Sequence, residues 1–237
     1  MIRTLEQKSE ILARLEPTRH IPGVVTNSLI QLLLEVYRTG EKTYKNTGPV
    51  TVDFFPRNPP FPDWWIRVEE VITPFIGEHS TFSTNFYEVK QPHILHNDDS
   101  VALAPRLYKT VVIPLKIKQP TNFAVFDQTY LDGPVKLRHG GKFAGRTHNK
   151  PEVYYNQDLL TNDVLGGYTD KPFDYATWED NFSHIPYTRF HGLTVEKIVT
   201  WQPGDLIIFD TARIHCGGNF LAHGIESKIG FSIFTSR

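Results

Sequence analysis

The chain has 237 residues, of which 40% are hydrophobic and 22% are charged, and its formal net charge at neutral pH is −1. This length suits a single domain, and these proportions are ordinary for a soluble globular protein with a sizeable core. Because positive and negative charges nearly balance, no overall field attracts nucleic acid or an anionic membrane surface. Neither is therefore expected as a non-specific partner.

Cysteine content and hydropathy predict the compartment. Cys216 is the only cysteine, which excludes an internal disulfide and favours a reducing environment. The N-terminal segment lacks the apolar stretch of an export signal, and no apolar run approaches the ~18 residues of a membrane span. We therefore predict a cytoplasmic protein without a membrane partner.

The N-terminal part of the chain has helical periodicity. Three helices are predicted, over residues 5–16, 27–39 and 64–76. Leu5, Ile11, Leu12 and Leu15 make one apolar stripe on the first helix, and Thr4 and Gln7 fit a capping box at its start. Asp63 is predicted to cap the third helix. Gly40 and Gly77 are expected to end the second and third helices. The proline-rich segment between these two helices is predicted to be a loop.

The period changes to that of β-strands from residue 81 onwards. Strands are predicted over residues 81–90, 107–117, 122–131, 188–200, 206–209, 213–217 and 228–235. Residues 132–186 have no steady period and are expected to form a lid or a disordered insert. Helices followed by about eight short strands predict an α+β fold with a double-stranded β-helix, or jelly roll. We expect one domain over 1–237, in which helical residues 1–80 support a jelly-roll core over 81–237.

Three possible metal ligands lie beside predicted strands. His96 and Asp98 are two residues apart, so both side chains point to one face of an extended segment. His215 follows a Pro-Gly-Asp turn and a buried strand, and two histidines with one carboxylate suit non-haem Fe(II). With 10 histidines and 26 acidic residues, about one His-x-Asp/Glu triplet is expected by chance. An ordinary loop pair and a core histidine therefore stay open as alternatives. Cys216 would face away from His215, as a buried inert thiol.

The whole pattern resembles one enzyme superfamily. The order His96-x-Asp98, Pro203-Gly204-Asp205, His215 and Lys228 is similar to that of the Fe(II)/2-oxoglutarate-dependent oxygenases over roughly residues 81–237. The resemblance implies Fe(II) bound by His96, Asp98 and His215, and 2-oxoglutarate bound through its distal carboxylate by Lys228. It also implies hydroxylation of a small molecule, or of a modified residue or base, with release of succinate and CO2. The carboxylate ligand favours hydroxylation because halogenating relatives lack it.

The cosubstrate position departs from the common pattern of that superfamily. Many members have Arg in place of Lys228 and Ser or Thr in place of Gly230. Lysine anchors a carboxylate as a point charge, without the two-pronged geometry of arginine. The alternative for Lys228 is a strand-edge lysine that discourages aggregation. Tyr87 and Tyr108 could add a hydroxyl to the same carboxylate, with core packing as the alternative for both.

Several residues are candidates for substrate recognition. Arg213, two residues before His215, is the best candidate for substrate binding, and a salt bridge in the barrel wall is its alternative. Trp178, Tyr187 and Phe190 are predicted to line the pocket. The insert has a basic half, 136–150, and an acidic half, 152–180. The basic half would attract an anionic substrate, or the two halves would neutralise each other on a solvated surface.

Two other functions remain open from the sequence. One keeps the barrel and the metal without 2-oxoglutarate, as in a cupin-like dioxygenase or isomerase. The other is a non-enzymatic jelly-roll binding module. Succinate formation that depends on iron and 2-oxoglutarate separates these classes from the oxygenase.

Overall fold

The computed structural model describes residues 3–41, 50–53, 59–98, 106–131, 136–139, 146–147, 150–155 and 167–237. Four helices, α1–α4, lie in these ranges, at Leu5–Leu12, Asn27–Thr39, Asp63–Ile76 and Tyr175–Phe182. Strands β1–β6 are Arg19–Ile21, Val50–Asp53, Ser80–Val89, Leu107–Lys116, Thr121–Thr129 and Lys136–His139. Strands β7–β12 are Arg146–Thr147, Lys150–Tyr155, Val195–Trp201, Leu206–Asp210, Arg213–Gly217 and Lys228–Ser236. None of the helices in the described ranges is long and apolar enough to cross a bilayer.

The first helix confirms its predicted cap but not its predicted apolar face. The Thr4 hydroxyl accepts a hydrogen bond from the Gln7 backbone, and the Gln7 side chain accepts one from the Thr4 backbone. The helix ends at Leu12 instead of residue 16. Of its apolar side chains only Ile11 is buried, whereas Leu5 is 83% exposed. Capping thus sets the start of α1, but its predicted hydrophobic stripe is wrong.

Helices α2 and α3 occur where they are predicted. The Thr26 hydroxyl accepts a hydrogen bond from the first turn of α2. Pro62, not Asp63, is the N-cap of α3, and no side chain bonds to that cap. The Asp63 carboxylate lies instead in the first turn, where negative charge suits the helix dipole. Gly77 ends α3 at a φ of 70°, a conformation that favours glycine.

The larger sheet has six antiparallel strands in the order β1-β10-β4-β12-β3-β2. Its outer face packs against α2 and α3. Phe86 and Phe231 stack with ring centroids 4.3 Å apart at the centre of this layer. They belong to a buried cluster that joins both helices to the sheet, including Leu33, Val68, Ile72, Val111, Ile113 and Ile233.

The smaller sheet has the order β11-β5-β9 and faces the inner side of the larger one. Successive strand residues point to opposite faces, so Val112 points inward while Val111 packs against the helices. The cluster between the sheets joins Val112, Ile207 and Phe209 of the larger sheet to Phe123, Val125, Val199 and Trp201 of the smaller. Helices on one face of antiparallel sheets confirm the predicted α+β class.

The far side of the smaller sheet is covered by part of the predicted lid. Helix α4, capped by Asp174, leads into a cluster in which Phe182 and Phe190 pack on Phe126. Residues 187–190 form a 3-10 turn, so the strand predicted from residue 188 begins only at Val195. Strands β6, β8 and β7 form a further sheet within the segment 132–186. Residues 132–135, 140–145, 148–149 and 156–166 of that segment, and most of the predicted loop at 41–63, lie outside the described residues.

Candidate metal centre

The segment after β3 runs alongside β11 and brings two histidines opposite each other. The His96 amide donates to the His215 carbonyl at 3.0 Å, and the His215 amide donates to the His96 carbonyl at 2.8 Å. Directly opposed residues of an antiparallel pair project to the same face. The Asp98 amide donates to the Thr211 carbonyl at 3.2 Å, which continues the pairing. All three candidate ligands therefore face the space between the sheets.

The three side chains meet at one point. One ligand atom from each of His96, Asp98 and His215 lies within 4.8 Å of the others. One Asp98 carboxylate oxygen is 3.2 Å from Nε2 of His215, and the other is 3.9 Å from Nε2 of His96. His215 is only 3% exposed and His96 9%. The predicted convergence of two imidazoles and a carboxylate is present in the structure.

Backbone carbonyls orient both imidazoles. Nδ1 of His96 is 2.7 Å from the carbonyl of Ile94, and Nδ1 of His215 is 3.1 Å from that of Arg213. A carbonyl only accepts, so each Nδ1 carries the hydrogen and each Nε2 presents a lone pair toward Asp98. Imidazoles fixed in this way by a second contact are typical metal ligands. The donor set of two nitrogens and a carboxylate fits a divalent first-row transition metal.

Aromatic rings shield the inner side of this centre. The His215 ring packs against Phe209 and Phe123, with centroids 4.6 and 5.5 Å away. His93 meets the edge of the His96 ring at 5.4 Å. Cys216 points to the opposite side, within the outer cluster, and burial raises the pKa of its thiol. The expectation of a buried thiol facing away from the site is confirmed.

Lys228 opens β12 and is buried. Its Nζ lies 4.4 Å from the Trp201 ring centroid and 5.6 Å from that of Phe220. Lys228 as a whole is only 5% exposed. Burial lowers the pKa of Lys228 to about 7. Strand β12 lies between β4 and β3, so the alternative of an edge-strand lysine is wrong.

Tyr87 faces the same space as Lys228. Its hydroxyl hydrogen-bonds with the side chains of Ser232 and Trp201, and burial raises the pKa of Tyr87 above its usual range. The charge of Asp98 raises it further, which places this hydroxyl within electrostatic reach of the metal centre. Trp201 and Ser232 were not predicted as site residues. The inward alternation of Lys228, Gly230 and Ser232 along β12 is the signal that could have identified Ser232.

Tyr108, predicted to bind the cosubstrate, lies on the other face of the sheet. Its hydroxyl donates to the Ile76 carbonyl at the end of α3, at 2.8 Å. The β4–β12 register shifts between Phe234 and Ser236, and this bulge reverses the alternation at the start of β4. The sequence-based assignment of Tyr108 is therefore corrected: this tyrosine belongs to the helix-facing layer.

Arg213, predicted to bind substrate, takes the alternative role of a salt bridge in the wall. The register between β11 and β5 shifts between Arg213 and His215, so the two side chains do not share a face. The guanidinium lies 3.7 Å from Asp127, 3.9 Å from Asp210 and 4.0 Å from Glu196. Its substrate-binding assignment is corrected accordingly.

The predicted pocket-lining aromatics also lie elsewhere. Phe190 is fully buried behind the smaller sheet, and Trp178 and Tyr187 pack against the same outer cluster. The Trp178 indole donates to the Ile185 carbonyl at 2.7 Å. The side chains of the basic half of the insert lie outside the described residues, as do those of Glu152, Asp158 and Asp163 in the acidic half.

Gly230 is a position where a larger residue should be harmful. A Cβ atom there would lie 2.3 Å from the Tyr87 hydroxyl oxygen and 2.4 Å from the adjacent ring carbon. Overpacking of this kind costs ~1–3 kcal/mol, so we expect Gly230→Ala to lower the free energy of unfolding by about that amount, measured by urea denaturation.

The matched control is a double-mutant cycle with Tyr87→Ala. If the clash causes the loss, Gly230→Ala should cost much less once the tyrosine ring is absent. Additive losses in the double variant would contradict this explanation.

Comparison with known proteins gives a structural likeness without a sequence match. No protein-family model and no curated protein sequence matches the chain. The epimerase SnoN, solved with Fe3+, alpha ketoglutarate and nogalamycin RO, aligns with a TM-score of 0.50 and 13% identity, over 98% of this chain and 83% of SnoN. The chain shares the fold of 2-oxoglutarate-dependent enzymes.

Two further structures give the same result. HygX from Streptomyces hygroscopicus, solved with nickel and 2-oxoglutarate, has a TM-score of 0.50 and 11% identity over 99% of this chain and 87% of HygX. The non-heme alpha ketoglutarate dependent carbocyclase SnoK has a TM-score of 0.50 and 12% identity over 97% of this chain and 83% of SnoK. At such low identity the structural alignment shows the fold alone, and the chemistry must be argued from the site.

Proposed function

We propose that this chain is an Fe(II)- and 2-oxoglutarate-dependent oxygenase built as a single jelly-roll domain. The observation that carries the proposal is the meeting of His96, Asp98 and His215 between two facing antiparallel sheets. His96 and Asp98 precede His215 by more than a hundred positions in the chain, yet one ligand atom from each of the three lies within 4.8 Å of the others. The fold likeness to SnoN, HygX and SnoK supports the same conclusion.

The proposed iron ligands are His96, Asp98 and His215. Three protein ligands leave open positions for the cosubstrate and dioxygen. When bound, iron with 2-oxoglutarate supplies dioxygen activation coupled to decarboxylation of the cosubstrate to succinate. The chain's own contribution is to fix both imidazole tautomers through backbone carbonyls and to exclude water with Phe123 and Phe209.

Lys228 and Tyr87 are the proposed anchors of the distal carboxylate of 2-oxoglutarate. Lysine supplies the positive charge, and its attraction to a carboxylate is stronger in a dry aromatic pocket than in water. Tyr87 crosses the space above Gly230, where many members of the superfamily carry the serine or threonine hydroxyl. Its own hydroxyl thus takes the place of the missing one.

Hydroxylation of a small molecule is the reaction we propose. The Asp98 carboxylate completes three protein ligands, which favours hydroxylation over halogenation. SnoN was solved with a small molecule, nogalamycin RO, which supports a substrate of that class. SnoN and SnoK are named an epimerase and a carbocyclase, so the type of reaction needs its own test: oxygen from labelled dioxygen should appear in the product.

Anaerobic titration tests the assignment directly. Fe(II) with 2-oxoglutarate should give a weak visible charge-transfer band, and admission of oxygen should release succinate. If the protein binds iron but does not form succinate from 2-oxoglutarate, a cupin-like dioxygenase or isomerase would be indicated instead. Failure to bind iron at all would leave a non-enzymatic binding module.

A further inference from the structure

Lys228 lies in the interior without an acidic partner among the described residues. We propose, resting on the oxygenase function above, that 2-oxoglutarate binds together with a proton that Lys228 takes up. The empty pocket would hold the lysine largely uncharged at mildly alkaline pH, and the bound carboxylate would make it an ammonium ion. Cosubstrate affinity would then fall as pH rises, which a site with arginine in this position would not show.

The walls around the amine are apolar. Its Nζ lies over the rings of Trp201 and Phe220. Gly217 lies beside the amine, and a Cβ there would be 3.8 Å from Nζ. Aromatic faces stabilise a cation modestly, but they do not replace the water that a buried ammonium loses. The uncharged amine is therefore a substantial fraction of the empty state.

Three titratable groups lie near this pocket, although the Cys216 side chain itself points into the outer cluster. They are Tyr87 on β3, Cys216 on β11 and His184 in the loop after α4. Burial raises the pKa of both the tyrosine and the thiol, so neither is negative at neutral pH. Burial, with a smaller effect from Lys228, lowers the pKa of His184 to about 4. None of these groups supplies the negative charge that would hold the lysine protonated.

The carboxylates in the vicinity do not supply that charge either. Asp98 lies against His96 and His215 at the metal centre, and the metal would compensate its charge. Glu88 accepts a hydrogen bond from Tyr37 on the helix-facing side of the sheet. Glu226, two residues before Lys228, is exposed. An anion that enters the pocket is thus the natural counter-charge.

The direction of the linkage follows from these facts. The pKa of Lys228 is lowered to about 7 by burial in the empty pocket, and a bound carboxylate raises it. Proton uptake on binding should therefore be small at pH 6 and rise toward one proton as pH increases through the pKa of Lys228 in the empty pocket. The apparent Kd should rise with pH, by up to about tenfold per pH unit once Lys228 of the empty pocket is mostly uncharged.

Calorimetry measures this uptake without turnover. The protein is loaded with Ni(II), titrated with 2-oxoglutarate at pH 6 and pH 8, and measured in two buffers of different ionisation enthalpy. We expect uptake to rise from pH 6 to pH 8 in the wild-type protein. Lys228→Arg keeps a permanent charge, so its uptake should be near zero and its Kd nearly constant over this range.

Each other outcome decides against a specific statement. Binding of 2-oxoglutarate without proton uptake at pH 8 would overturn this inference and leave the oxygenase function intact. Proton uptake that persists in Lys228→Arg, or that disappears in His184→Gln, would show that a group other than Lys228 takes up the proton. Either result would also overturn this inference. Absence of any 2-oxoglutarate binding would refute the proposed function itself.

Discussion

His215→Ala is expected to abolish both the anaerobic charge-transfer band and succinate formation. The substitution removes one of three proposed protein ligands, and with it the imidazole that lies 3.2 Å from an Asp98 carboxylate oxygen. Loss of a supporting contact to a metal ligand typically costs 10–100-fold in metal affinity or activity. Loss of the ligand itself should therefore lower the iron affinity by more than about 100-fold. Equilibrium titration with Fe(II), followed by the band after 2-oxoglutarate is added, measures the effect.

A neighbouring substitution separates ligand loss from general damage. His215 is buried between Phe209 and Phe123, so alanine also leaves a cavity. Cys216→Ala removes a fully buried side chain from the adjacent position on the opposite face. It should lower stability while keeping the band. A folded His215→Ala protein that retains the band would refute the proposed metal centre.

The metal centre could be predicted from sequence because alternation carries real geometric information. His96 and Asp98 share a face in any extended segment, and His215 follows a strand whose buried run was evident. The helices α2 and α3 were predictable for a similar reason, because their apolar spacing is regular over three to four turns. Local pattern and final structure agree where one regular element decides the position of a side chain.

The errors lie where the register changes. Arg213 was assigned to the site by counting residues along a strand, and Tyr108 because its strand was expected beside that of Tyr87. A shift in the ladder separates each from the expected face. The sequence contains no sign of these bulges, since they are set by pairing with distant strands. Lys228 shows a related limit. Its burial depends on β12 lying between two other strands, which no local pattern reveals.

The second large expected effect is on stability, and it concerns the salt bridges of Asp210, which lies near both Arg213 and Lys109. Lys109 is 3% exposed, and its Nζ lies 2.8 Å from an Asp210 carboxylate oxygen and 3.0 Å from one of Glu16. Lys109→Met leaves the Asp210 carboxylate buried, with the Arg213 guanidinium at 3.9 Å as its nearest remaining cation. Breaking a buried pair costs ~3–5 kcal/mol, and urea denaturation at pH 8 should show a loss of about 3 kcal/mol.

Two comparisons make this prediction specific. Glu16 is 60% exposed, so Glu16→Gln removes the other partner of Lys109 at a cost below about 1 kcal/mol. Lys109→Met combined with Asp210→Asn should recover much of the loss, because no uncompensated charge stays buried. Equal losses for Glu16→Gln and Lys109→Met would contradict the buried pair as the source of the stability.

The pH dependence of Lys109→Met gives an independent check on the same pair. Burial already raises the pKa of Asp210, and the charge of Lys109 opposes that rise. Without the lysine, the pKa rises further, so the folded variant takes up a proton more readily than the unfolded chain. A group with a raised folded-state pKa stabilises the fold at low pH and loses that contribution as pH rises through the folded pKa. The deficit of Lys109→Met relative to wild type should therefore be smaller at pH 5 than at pH 8, and a deficit independent of pH would show that Asp210 does not carry the unpaired charge.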